Sequence, residues 1–228
     1  MPAWSLAAPE WVYRPWRVRR TEWMDRPGLP QAERDAALAG LERLSAWPGS
    51  RGPLLASVLD LLGPPDGKRR RLVELGAGGG ALSRWLGARL DGLGYRAEVL
   101  ATDLVAAPGV RRLDALSGRL PRADLYFSNL VLHHLPDAGV RRLLRRSAGA
   151  SARGCVHLDL QRHWIHYYGA MALVRLGGFE RINRVDARLS IQQGYTRAEW
   201  MGLARGLGPG ADAGWQFPFR WRLAWKRP

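Results

Sequence analysis

The stretch Arg71-Leu72-Val73-Glu74-Leu75-Gly76-Ala77-Gly78-Gly79-Gly80-Ala81-Leu82-Ser83-Arg84-Trp85-Leu86 decides how this chain is read. A short apolar run carrying one carboxylate comes first, then a glycine turn, then residues at helical spacing. Strand, tight turn and helix in that order form the first unit of a parallel α/β sheet. Glycines in such a turn let backbone N–H groups come close to a ligand, because no Cβ stands in the way, and they aim the helix N-terminus at it. The same residues also satisfy the Gly-x-Gly-x-x-Ala dinucleotide fingerprint, so a nicotinamide enzyme is the first rival. Glu74 argues against it: two residues before Gly76, its carboxylate would receive a ligand ammonium and repel a pyrophosphate.

Further strands follow. Ala97–Ala101 reads as a second strand ending at Thr102-Asp103, where the Asp103 carboxylate is placed to accept ribose hydroxyl protons. Asp124–Leu130 and Gly154–Leu160 are apolar runs suited to strands buried on both faces. Upstream, Ala36, Leu38, Leu41 and Leu44 predict one helix over 32–44. Leu54, Leu55, Val58, Leu61 and Leu62 predict another over 53–62, closed by Gly63-Pro64-Pro65. Thr196-Arg197-Ala198-Glu199 has capping-box form and opens a last helix that Gly206 would close. From Trp215 a period of two sets Trp215, Phe217, Phe219, Trp221, Leu223 and Trp225 on one face, predicting a terminal antiparallel hairpin with a break at Pro218.

These motifs resemble the class I S-adenosylmethionine-dependent methyltransferases from about Arg70 to the C-terminus. Glu74-x-Gly76-x-Gly78-x-Gly80 is similar to their first motif, Asp103 to their ribose acid, and Ser128-Asn129-Leu130-Val131-Leu132-His133-His134-Leu135 to their fourth-strand motif. Glu22-Trp23-Met24-Asp25 and Asp159-Leu160-Gln161-Arg162-His163 resemble bacterial small-molecule methyltransferases of the ubiquinone and menaquinone type and those linked to phenolic polyketide pathways. The resemblance implies a Rossmann-like α/β fold, with a mostly parallel sheet, helices on both faces and a C-terminal antiparallel hairpin. It implies S-adenosylmethionine as cofactor, S-adenosylhomocysteine as product, and a cofactor site built from Glu74, Gly76, Ala77, Gly78, Asp103, Leu104, Asp114, Ala115, Asn129 and Leu130. One departure stands out: only Leu104–Leu113 separate Asp103 from Asp114, too few for a full helix and strand.

All five histidines fall at or after the fourth and fifth strands, where open sheets bind ligands. His163, just past the fifth strand, and His133 are the candidates for catalysis. His134 is expected to shape the pocket wall and His157 to bond locally. His163 and His166 have metal-like spacing but no third ligand, so no metal is expected. The segment 163–196 carries Trp164, Tyr167, Tyr168, Met171, Leu173, Val174, Leu176 and Phe179, an apolar set suited to capping an aromatic or apolar acceptor. The expected organisation is one domain: a helical lid over 1–66 and a core over 67–228 bearing that cap.

The expected reaction is O-methylation of a phenolic or carboxylic secondary metabolite. The formal charge of +15 supports an RNA methyltransferase as the rival, although Asn129-Leu130-Val131-Leu132 lacks the Asn-Pro-Pro-Tyr arrangement used on adenine. A non-catalytic cofactor binder of the same fold is the third reading. Lys occurs only at 68 and 226, so a general preference for Arg explains part of the charge. Cys155, the one cysteine, excludes an internal disulfide and any cysteine cage for zinc or iron–sulfur clusters. Met1–Arg14 has no signal-peptide core and no long apolar run occurs, so a cytoplasmic protein without membrane insertion is expected.

Overall fold

The computed structural model describes residues 12–45 and 51–228. Met1–Trp11 and the side chains of Leu41 and Leu44, which the sequence reading invoked, lie outside the described residues. In chain order the elements are α1 (Gln31–Ser45), α2 (Gly52–Leu62), β1 (Arg69–Leu75), α3 (Ala81–Asp91), β2 (Arg96–Asp103), β3 (Val110–Arg112), β4 (Ala123–Asn129), α4 (Asp137–Ala150), β5 (Ser151–Leu160), α5 (Trp164–Leu176), α6 (Arg181–Gln193), α7 (Arg197–Leu207), β6 (Ala211–Gln216) and β7 (Arg220–Lys226). Single 3-10 turns occupy Trp23–Asp25 and Leu132–His134.

The seven strands form one sheet in the order β3-β2-β1-β4-β5-β7-β6. β1 to β5 run parallel, and β7 enters antiparallel to both β5 and β6. Side chains on a strand alternate between faces, and the inner strands use both. Val73, Leu75, Tyr126, Cys155 and Leu223 face α4 and α7, against Leu143, Leu144, Trp200 and Leu203. Leu72, Leu125, Phe127, Val156 and Leu158 face α2 and α3, against Leu54, Val58, Leu86 and Leu90. Burying both faces explains why β1, β4 and β5 read as apolar runs.

The predicted elements are present, with four corrections. On α1 Ala36 is exposed, and Ala37 and Gly40 face inward; the Asn183 side chain lies against Gly40 and donates to Ala37 O at 2.9 Å. α2 is a core helix rather than part of a lid, because its leucines complete the second face of the sheet. α7 runs past Gly206 and ends at Gly208, whose positive φ of 96° suits a helix stop. The expected one-faced aromatic row breaks at the Phe217–Phe219 turn: Trp221 and Leu223 are buried, but Trp215 is 49% and Phe217 69% exposed. β6 is the edge strand, so nothing in the sheet covers that end. Between β2 and β3 no helix forms, as the short Leu104–Leu113 spacing requires.

Gly154 sets how closely β5 and β7 pair. A Cβ there would collide with the Trp225 carbonyl and lie 3.2 Å from Leu61 Cδ2. Gly154→Val should lower the unfolding free energy by about 1–3 kcal/mol through overpacking, read as a lower urea midpoint; an unchanged midpoint would show that the strands can separate without cost.

Candidate active site

The carboxyl ends of β1, β2, β4 and β5 converge with the chain segment before α1, and the functional side chains gather there in two groups. In the first, the Gly76 and Ala77 N–H groups both donate to Thr102 O at 2.9 Å, and the Gly78 N–H donates to Asp103 Oδ2 at 2.8 Å. The turn is thus fastened to the end of β2. Gly76 has φ of +75°, and a Cβ on it would lie 2.5 Å from Val131 Cγ2, so only glycine fits between β1 and the segment after β4. Glu74 is 2% exposed and accepts from Ser83 Oγ at 2.5 Å. Burial pushes its carboxyl up to about 7, against the pull of that hydrogen bond. Among the described residues no cation pairs with it.

The remaining expected cofactor residues lie at or after the ends of β2, β3 and β4. Leu104 is 62% exposed directly after Asp103. Leu130 holds a positive φ of 60° at the end of β4, a strained conformation of the kind concentrated at functional sites. Asn129 Oδ1 accepts from Arg220 at 3.2 Å. Asp114 closes a local turn, accepting from the Leu116 N–H at 2.8 Å and from Ser117. The Ser117 hydroxyl, foremost, holds the Asp114 carboxyl below its ordinary value. Arg146 donates to Ala115 O at 3.0 Å and fixes that turn against α4.

The second group is buried. His133, 4% exposed, donates from its backbone N–H to Asp159 Oδ2 at 3.0 Å, and its Nδ1 meets Asp159 Oδ1 at 2.6 Å. On the other side His133 Nε2 lies 3.5 Å from Glu22 Oε1, which also accepts from Ser190 at 2.7 Å and Gln193 at 3.0 Å. Burial alone would push the imidazole down, but Asp159 and then Glu22 outweigh it and hold His133 up at about 10. His133 is therefore an imidazolium between two carboxylates. His134 lies beside it with ring centroids 4.2 Å apart and tilted by 34°, and its Nδ1 is 2.9 Å from Asp25 Oδ2. Glu22, His133 and His134 bring one ligating atom each within 4.8 Å of one another, a geometry their ion pairing explains.

The sequence singles out Glu22 and Asp159 only through a family resemblance; the structure pairs both with His133. The available signal was a carboxylate inside the apolar run of β5, which demands a cation. The segment 12–26 reaches the site because α6 anchors it: Asp186 accepts from the Trp23 and Met24 N–H groups at 2.7 and 2.9 Å, and the Val18 N–H donates to Gln192 O at 3.1 Å.

The other histidines stand apart. His163 caps α5, its Nδ1 accepting from the Ile165 N–H at 3.2 Å, and it stacks with Trp164 and Phe219. His166 is committed to Gln161 O at 2.8 Å, away from any shared ligand with His163. His157 lies between Ser128 at 2.8 Å and Ser147 at 3.0 Å, and burial lowers it to about 3, so it stays neutral. Cys155 is buried and pushed up to about 12 by that burial, an inert thiol.

No family model matches the chain. Trans-aconitate 2-methyltransferase from Mycobacterium tuberculosis (strain ATCC 25177 / H37Ra) is 37% identical over 76 residues, 31% of this chain and 29% of that protein. The match therefore spans less than a third of that relative. Among solved structures, human N-acetylserotonin methyltransferase in complex with SAM aligns at a TM-score of 0.58 and 16% identity, covering 91% of this chain and 63% of that one. The plantazolicin methyltransferase BpumL in complex with SAH aligns at 0.63 and 11% identity, covering 88% and 92%. At these identities the likeness shows the fold. The chain has the Rossmann-like fold of the class I S-adenosylmethionine-dependent methyltransferases.

His133 holds its proton to about pH 10 when folded but only to about 6.5 when unfolded. Its raised value means that its contribution to stability is full below about pH 6.5 and is lost as pH rises through about 10. His133→Asn should lower the unfolding free energy by about 3–5 kcal/mol, since it strands the buried Asp159 charge. The gap from the parent protein should stay constant below about pH 6.5 and narrow toward pH 10. A gap independent of pH in urea titrations would contradict the charged pairing.

Proposed function

We propose that this chain transfers a methyl group from S-adenosylmethionine to an oxygen of a small acceptor, a phenolic or carboxylic metabolite with an aromatic or apolar body. The observation that carries the reading is Glu74: a buried carboxyl without a cationic partner among the described residues, beside an open glycine turn that Asp103 fastens. A ligand ammonium suits that carboxyl, a ribose suits Asp103, and the exposed Leu104 offers an apolar surface for an adenine, with Asp114 and Ala115 as its edge. The cofactor, when bound, supplies an electrophilic methyl carbon.

The residues of the chain then bind, orient and exclude water. Segment 12–26, α1, α5 and α6 form the acceptor cap, while α2 belongs to the core. His133 is protonated in the arrangement seen and holds Asp159 and Glu22 on its two ring nitrogens, so it fixes the wall of the site rather than removing a proton, which suits an acceptor that is already ionised. A carboxylate or an acidic phenol meets this condition, and the name of the relative matched in sequence, which refers to trans-aconitate, agrees with it. Orientation then contributes most of the rate. His163, at the foot of the cap and with Nδ1 committed to its own helix, is the second group for holding the acceptor.

Calorimetric titration with S-adenosylhomocysteine tests the cofactor. Binding should be roughly micromolar and should weaken by at least about tenfold in Asp103→Ala. Because the pKa of Glu74 is raised, affinity should climb by up to about tenfold per pH unit as the pH approaches about 7, and level off above it. Glu74→Gln should abolish that dependence. No binding by the folded protein would overturn the reading. Transfer of an isotopically labelled methyl to phenolic and carboxylic acids, followed by mass spectrometry, then separates catalysis from cofactor binding alone. His133→Asn and His163→Ala should slow transfer without changing cofactor affinity.

A further inference from the structure

Helix α5 carries two apolar faces, and among the described residues only one is buried; on the other the Tyr13 N–H reaches the Tyr168 hydroxyl at 3.4 Å. Tyr167 and Val174 are buried, with Tyr167 5.8 Å from the Tyr13 ring. The opposite face sets Trp164, Tyr168 and Leu176 at four- and eight-residue steps, 55%, 46% and 87% exposed, with Ile165 beside them and the exposed Ala172 filling the gap. A helix placed only to cap an acceptor inside the protein would turn such residues inward. At its first turn this face continues through ring stacking, Trp164 to His163 to Phe219, and on to Trp215 and the exposed Phe217 at the hairpin tip. The result is one aromatic surface running from the start of the helix to the tip of the sheet.

The charge around it is mostly positive. Arg175 is the only charged residue of α5, which has no acid. On the adjoining turn and α6, Arg181 and Arg184 are exposed, against the exposed Glu180; Asp186 is buried and bonded to the Trp23 turn. Arg43 donates to Gly177 O at the end of the same helix. Apolar and aromatic side chains outward, arginines at the flank and a formal charge of +15 on the chain match the requirements of an anionic bilayer surface. No helix among the described residues is long and apolar enough to cross a membrane, so such contact lies in the interface plane.

We propose that α5 and the tip of the β6–β7 hairpin dock the protein on an anionic lipid surface. Trp164, Tyr168, Leu176 and Phe217 enter the headgroup boundary, and Arg175 of α5 with Arg181 and Arg184 of α6 meet the phosphates. This places the cap against the bilayer, where an apolar acceptor would be concentrated, but the docking itself is independent of the reaction.

Flotation with phosphatidylglycerol-containing vesicles and with pure phosphatidylcholine vesicles tests it. The full chain should partition onto the anionic vesicles, less so at high salt, and weakly onto the neutral ones. Replacing Trp164, Leu176 and Phe217 together by Ser should cut partitioning by at least about tenfold with the thermal transition retained, since all three are exposed. Absence of vesicle binding overturns the proposal. So does binding that the triple variant keeps in full, which would be charge attraction alone. A dimer by light scattering that the triple variant turns into a monomer, without vesicle binding, would assign the face to a second copy of the chain instead.

Discussion

A carboxylate fully buried at the end of β5 constrains everything around it. Asp159 is 0% exposed and could not stay ionised there without a cation and hydrogen-bond donors. His133 supplies both from the 3-10 turn after β4, through its imidazolium and its backbone N–H. That charge in turn draws in Glu22, and Glu22 can reach it only because α6 holds the preceding chain segment through Asp186, Gln192 and Gln193. One buried charge thereby joins the sheet, the cap and the beginning of the described chain at the mouth of the candidate active site.

The glycine-turn side of the candidate site is organised by a steric rather than an electrostatic constraint. β1 and the segment after β4 approach so closely at Gly76 and Val131 that no side chain fits at position 76. The turn is then fixed by Thr102 and Asp103 at the end of β2. Glu74 is left as a buried carboxyl whose ionisation is opposed by its surroundings. A site that holds an ionisable group near neutrality is poised for a charged ligand, which distinguishes it from the packed interior a few residues away.

The formal charge that favoured nucleic acid as a partner proves to be partly internal. Arg153 donates to Leu61 O and Leu62 O at the end of α2, Arg227 to Ser151 O just past α4, and Arg146 to the Asp114–Gly118 turn. Arg162 donates from one nitrogen, Nη2, to both carboxylate oxygens of Glu199, at 2.7 and 2.8 Å, and the same Glu199 completes the capping box of α7. Arg17 lies over the Tyr195 ring and binds Asp137. The guanidinium fork can satisfy several carbonyls at once, so these arginines close helix ends and turns inside the fold.

The sequence by itself determined the sheet and the glycine turn after β1, because both are local. Apolar runs flanked by turn residues define β1, β4 and β5, the Thr196–Glu199 spacing defines the cap of α7, and the glycines after Glu74 need a backbone that other residues reach only with strain. Only the tertiary structure decided the rest. Periodicity marks an apolar face but does not name what covers it, so the sequence could not tell that α2 completes the core, that Ala37 rather than Ala36 turns inward, or that Trp164 and Tyr168 of α5 face solvent while Tyr167 is buried. The pairing of Glu22, His133 and Asp159 was equally out of reach: Glu22 and Asp159 are far apart in sequence, and their charges interact only once the packing of α6 and the sheet has removed the water between them.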